Sequence, residues 1–288
     1  AFDAHESPAF MAPQNPERYK LFSLIAALTF EAKLFERASS LLAGFVIAEA
    51  PNNNTNSAKG LFNSLFQILL SGTHAPVQQR LQCIDALLCA TDNRSQEVGI
   101  EALNQMLETA YFSSHRNFEF GARSRDYGWN PKDKEEIADW YRNVLAFIIK
   151  KIIAGCNLAD QLTFLVARNF RGLWAKAQIN NELEEFTRKI VEIGSWPEGW
   201  RNVCTLIRHD AARMQPEVLN RIKEIEEILR PVSLLDQAKT YVLTPRWDTF
   251  DLAGKNEAEV EDDLLAGWRE ASEKAEEIGQ RIANEPEM

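Results

Sequence analysis

Glycine is scarce in this chain, at 13 of 288 residues, below the share of about 7% usual for soluble proteins. Little material is left for a phosphate-cradling loop, and neither G-x-x-x-x-G-K-[ST] nor G-x-G-x-x-G occurs. A P-loop and a dinucleotide-binding fingerprint are both excluded. Cysteine is rarer still: Cys83, Cys89, Cys156 and Cys204, with no C-x-x-C. So few cannot make a disulfide framework at this length, and small buried thiols in a reducing cytosol are expected. No apolar run approaches the ~20 residues of a bilayer-spanning helix, so no membrane partner is expected. The first residues, AFDAHESPAF, lack the basic-then-apolar order of a secretion signal, which leaves a cytoplasmic location as the expectation. The chain opens at Ala1 without an initiator Met and reads as a piece of a longer protein.

What is present is ordinary for a globular protein: 45% apolar and 26% charged residues. The formal charge of −10 is uneven, because the 32 residues from Glu257 onward contribute −8. An acidic segment of this kind disfavours nucleic acid and anionic membrane by bulk charge, although a local basic patch remains compatible with it.

Helical signals recur almost without pause. Asn15-Pro16-Glu17 reads as N-cap, first-turn proline and early acid, followed by an apolar face of Leu21, Phe22, Leu24, Ile25 and Leu28. Further helices are expected over Leu34–Ala50, then Ser57–Leu70 with Gly72 as its terminator, then from Pro76, and then after Asp92-Asn93. Alternate starts are 41 and 36 residues apart. Helical-pair repeats fall in that band, from 34 residues for tetratricopeptide units to about 47 for HEAT and armadillo units. One hairpin cannot hide its own apolar face, so neighbours stack to complete the core.

The pattern breaks at FSSHRNFEFGARSRDYGWNP, residues 112–131, which mix arginine, aromatics and turn formers. A strong helix follows, with Ile137, Trp140, Tyr141, Val144, Leu145, Ile148, Ile149, Ile152 and Ile153 on one face and Gly155 to close it. Helices are then expected near 158–177, 180–193, 197–211, 216–229, 233–242 and 257–283. Tyr241-Val242-Leu243 is the only strand-like run, too short to found a sheet. The fold class is all-α, an α-α superhelix of stacked helical hairpins of HEAT or TPR type. The division is a repeat lobe over 15–112, a loop over 113–131, and a second lobe over 132–288 ending in an acidic helix.

Searches for chemistry return little. His209-Asp210 echoes helical HD-type phosphohydrolases, which gather a His, a His-Asp pair and a distant Asp around a metal. His5, His74 and His115 have no convincing spacing to that pair, and a histidine near a helix C-terminus suits the dipole. No H-E-x-x-H, E-x-x-H or G-x-S-x-G occurs. Cys204 and His209, five residues apart, fall on different helix faces. Glu135-Glu136 and Glu261-Asp262-Asp263 sit in first turns, where they complement the dipole. No cofactor, metal or catalytic residue is expected. Trp196 and Trp200, flanking Pro197, read as aromatics that pin a helix start. The loop is the candidate binding site. Arg116, Arg123 and Arg125 alternate with aromatics that include Tyr127 and Trp129, types that supply area and donors at binding hot spots. Arg123, Arg125, Tyr127 and Trp129 would project to one side of an extended segment. The same mixture suits a nucleic acid, and it also suits a loop packed back on the body.

FGARSRDYGWNP followed by EEIADWY resembles a segment in the helical region of large bacterial STAND-type NTPases, some of them antiphage sensors. RPVSLLDQAKTYVL has a similar character. In that family a P-loop module switches and helical repeats recognise a foreign protein. The resemblance implies a sensor or linker section that binds a protein partner and is not itself an enzyme. The alternatives are a metal-dependent HD-like phosphohydrolase using His209 and Asp210, and a nucleic-acid-binding helical repeat using the loop arginines.

Overall fold

The computed structural model describes residues 16–49, 57–114, 119, 121, 124–243 and 266–284. Asn15, Arg116, Arg123 and the acidic run 261–263 lie outside the described residues. Those described form twelve α-helices joined by turns, with one 3-10 turn, one π turn and no strand among them. The chain divides into two compact units: Ala1–Leu162 with Lys176–Gln178, and Thr163–Ala175 with Ile179–Met288.

The first unit holds α1 (Pro16–Leu28), α2 (Ala32–Ala48), α3 (Ala58–Ser64), α4 (Val77–Leu88), α5 (Asn93–Leu107) and α6 (Lys134–Ile153). Neighbours in sequence pack together: α1 on α2, both on α3, α4 on α5, and α6 on α4 and α5. The sequence grouping assigns α6 to the second lobe. On α1 the expected broad apolar face is narrower, because Phe22 and Ile25 are buried while Leu24 and Leu28 are exposed. Helix α2 buries Phe35, Ala38, Leu42 and Phe45 at spacings of three and four, which is one stripe of a 3.6-residue period. Asp92 caps α5 by accepting from the Ser95 amide at 2.8 Å, and Asp133 caps α6 by accepting from the Glu136 amide at 2.9 Å. Along α6, Trp140, Tyr141, Val144, Leu145, Ile148 and Ile152 are buried as the period predicts, whereas Ile153 is exposed.

The third helix departs from the sequence reading. It stops at Ser64, not Leu70, and residues 67–76 run irregularly. The cause lies on α4. Arg80 is fully buried on the same face as Val77 and Ile84, and its guanidinium gathers the carbonyls that the unwound segment releases. Nε donates to Ala75 O at 3.0 Å, and Nη1 donates to Leu65 O at 2.8 Å and Gln67 O at 2.9 Å. Nη2 donates to Ser71 Oγ at 3.2 Å and Thr73 O at 3.4 Å. Every donor of the planar fork is in use, so the charge is solvated by backbone dipoles in place of water.

A second internal ion organises the α1–α2–α3 corner. Glu49, at the end of α2, accepts from Arg18 Nη2 at 2.8 Å and, through both carboxylate oxygens, from the Ala58 amide that opens α3 at 3.0 Å. Burial pushes the Glu49 carboxyl above its ordinary range, against the opposing pull of the Ala58 amide and Arg18.

Helix α7 (Ala159–Lys176) begins in the first unit and continues into the second. The second unit continues with α8 (Asn180–Ile193), α9 (Pro197–Asp210), α10 (Pro216–Leu229), α11 (Leu234–Gln237), a π turn over Ala238–Val242, and α12 (Ala266–Asn284). Prolines open α9 and α10 as expected of the N1 position. Trp196 and Trp200 do pin the start of α9. Trp196 packs against Phe170 and Phe186, and its ring lies so close over Gly199 that a Cβ there would fall 2.3 Å away. Trp200 donates Nε1 to Glu226 at 2.6 Å. The strand-like Tyr241-Val242 belongs to the π turn, which with α11 carries α12 through Leu234, Ala238, Ile278 and Tyr241. No helix among the described residues is long and apolar enough to cross a membrane.

Candidate functional site

Residues 124–131 lie along the irregular segment that Arg80 holds. The Gly72 amide donates to Tyr127 O at 2.7 Å and the Trp129 amide donates to Thr73 O at 2.8 Å. The inner segment is fixed in turn to the end of α1. The His74 amide donates to Phe30 O at 3.1 Å, and Thr73 Oγ1 donates to Thr29 O. Three stretches distant in sequence thus share one hydrogen-bonded layer, and the outermost forms a strap.

Asp126 turns the strap. Its Oδ1 accepts from the Gly128 amide at 2.8 Å and lies 3.0 Å from His74 Nε2. Gly128 has φ +87°, and a Cβ there would sit 2.3 Å from Thr73 N and 2.7 Å from Thr73 O. Glycine is required on both counts, by conformation and by backbone approach.

The expected outward row of arginines and aromatics does not form among the described residues. Arg125 turns inward, donating from Nη1 to Ala27 O at 2.7 Å with its guanidinium 4.5 Å from the Phe30 ring centre. Ala27 O belongs to the last turn of α1, where it also accepts from the Phe30 amide at 3.4 Å and where the negative helix end attracts a cation. Trp129 is half-buried and stacks on Trp140 with ring centres 5.4 Å apart and planes 16° off parallel. Trp140 donates Nε1 to Met106 O at 3.0 Å, and the Arg80 guanidinium lies 5.0 Å from its ring centre. Between these two anchors, Tyr127 is 60% exposed. Tyr111, in the chain leading to the loop, is 98% exposed with φ +61°.

Sequence reasoning missed Arg80 and His74. Arg80 left a signal, an arginine in register with the apolar stripe of Val77, Ile84 and Leu88. Asp126 reads from the sequence as making local polar bonds, as it does to Gly128, but its pairing with His74 left no signal, because it spans 52 residues.

The His209-Asp210 pair stands at the end of α9. Asp210 accepts from Arg171 Nε at 2.7 Å and Arg171 Nη2 at 2.9 Å, and those hydrogen bonds hold its carboxyl below the usual range. Its oxygens serve a forked ion pair. Among the described residues, no three His, Cys, Asp or Glu side chains group as metal ligands would. The four cysteines are all free thiols and less buried than expected, with Cys89 exposed and Cys83, Cys156 and Cys204 partly so. No protein-family model, curated protein or solved structure matches the chain.

Proposed function

We propose that this chain is a non-catalytic binding scaffold, a superhelical stack of helical hairpins that takes a protein partner through the strap. Tyr127 carries the reading. Its backbone is tied at Gly72, Arg125 and Trp129 anchor either side of it, and the residue is nevertheless 60% exposed. An aromatic presented on an ordered backbone binds with little further loss of entropy, which is the property of a hot-spot residue. Arg125 contributes by holding the strap. Arg116 and Arg123 belong to the proposal on sequence grounds alone and lie outside the described residues. The likeness of FGARSRDYGWNP and EEIADWY to the helical region of STAND-type NTPases supports a place as the sensor or linker section of a larger bacterial cytoplasmic protein.

A photoreactive phenylalanine analogue at position 127 tests this in the cells that make the protein. The expected outcome is one discrete polypeptide adduct, absent when the probe replaces exposed Lys223. Against that partner, Tyr127→Ala should weaken binding about 30-fold, as loss of ~2 kcal/mol implies, with melting unchanged. An adduct to nucleic acid, or no adduct, overturns the proposal.

A further inference from the structure

Helices α4 and α6 end side by side, and three reactive groups meet there. Cys89 caps α4 and is exposed. Lys151, in the last turn of α6, places Nζ 3.3 Å from Cys89 Sγ and in ion-pair contact with Asp85. Asp85 lies one turn before Cys89, with Oδ1 3.8 Å from the sulfur. The cluster opens on a cavity of about 540 Å³ bordered by Cys89, Lys151, Gln96, Cys156 and Asn157. Burial works against the charge on Lys151, but its hydrogen bonds to Asp85 and Cys89 prevail and hold the amine above its ordinary range. The resting cluster is therefore an ammonium held between a carboxylate and a sulfur, with open access for a small oxidant.

We propose that Cys89 and Lys151 form an oxidation site, closed by peroxide into a covalent N–O–S bridge between the ends of α4 and α6. In the first step the Cys89 sulfur attacks one oxygen of hydrogen peroxide. The O–O bond breaks, the thiol proton leaves with the other oxygen as water, and a sulfenic acid remains. In the second step Lys151 releases its proton to solvent, and the small fraction present as free amine is the form that reacts. That amine attacks a second peroxide, whose O–O bond breaks to leave a hydroxylamine and water. The hydroxylamine oxygen then attacks the sulfenic sulfur, whose hydroxyl leaves as the second water, giving Cys89–S–O–NH–Lys151. Sulfur and nitrogen each give up two electrons, and two peroxides end as three waters. Two equivalents of a dithiol, two electrons from each, reverse the sequence, returning thiol, amine and one water. Atoms already 3.3 Å apart need only a small approach to share one oxygen. The bridge links residues 62 apart in sequence, so it restricts the unfolded chain as a disulfide does.

Peroxide treatment of the whole chain followed by intact mass and peptide mapping tests the proposal. The expected product gains about 14 Da, one oxygen less two hydrogens, on a cross-linked peptide pair holding Cys89 and Lys151. It should melt higher than the reduced protein and revert with dithiothreitol. It should be absent in Cys89→Ser and in Lys151→Arg, which keeps the charge beside Asp85, and still form in Cys156→Ser. A gain of about 16 Da on Cys89 alone, or a loss of about 2 Da as a disulfide with Cys156, overturns it. So does a lack of reaction, or a bridge that survives Lys151→Arg. The cluster is separate from the strap, so neither outcome bears on the role of Tyr127.

Discussion

Replacing Arg80 by methionine keeps an unbranched apolar stem, though a shorter one, and removes the guanidinium fork. The carbonyls of Leu65, Gln67 and Ala75 and the hydroxyl of Ser71 then lose their Arg80 donor in a place water does not reach, while Thr73 O keeps the Trp129 amide. Each orphaned buried group costs ~1–3 kcal/mol. Relief from keeping a guanidinium out of water returns several kcal/mol of that total. The net loss is about 3–5 kcal/mol, a large part of the 5–15 kcal/mol typical of a whole domain. Melting should fall by roughly 6–20 °C for a unit of this size. Arg80→Lys should not rescue it, because three donors on a point charge cannot reach five acceptors in one plane. Circular dichroism reads the melt. The two units can unfold separately, so hydrogen exchange over 65–80 is needed to locate the loss. If Arg80→Met melts like the parent and keeps 65–76 protected, Arg80 does not hold that segment and the account of why α3 ends early is wrong.

Gly128→Ala places a Cβ against the Thr73 backbone at a positive φ, so the strap should detach at a cost of a few kcal/mol; limited proteolysis should then cut near 124–131, and an uncut strap would refute the packing. For Glu49 the fold raises the carboxyl's pKa, so its contribution to stability is full below the ordinary glutamate range and is lost as pH rises through the higher folded value. Glu49→Gln lacks that loss, so its stability relative to the parent should improve as pH rises across that window in urea titrations, and a pH-independent difference would count against the assignment.

Much of the helix plan was legible in the residues themselves. Asp92 as a cap, Pro197 and Pro216 as first-turn prolines, and the stripe from Trp140 to Ile152 depend on groups within a few residues of each other. Helical hydrogen bonds are local, so period and caps suffice to read them. The end of α3 was not legible. Leu65 to Leu70 is as apolar as the helix before it, and only Arg80, a turn of α4 away, offers the carbonyls a better partner. The strap shows the same limit. Two-residue spacing implied that Arg125, Tyr127 and Trp129 share a side, but the Asp126–Gly128 turn breaks the extended period. Arg125 then follows the carbonyl at the end of α1, Trp129 follows Trp140, and Tyr127 is left facing solvent. An extended segment makes no hydrogen bonds of its own, so the direction of each side chain is decided by the backbone it lies against, here 72–74, more than fifty residues away in sequence.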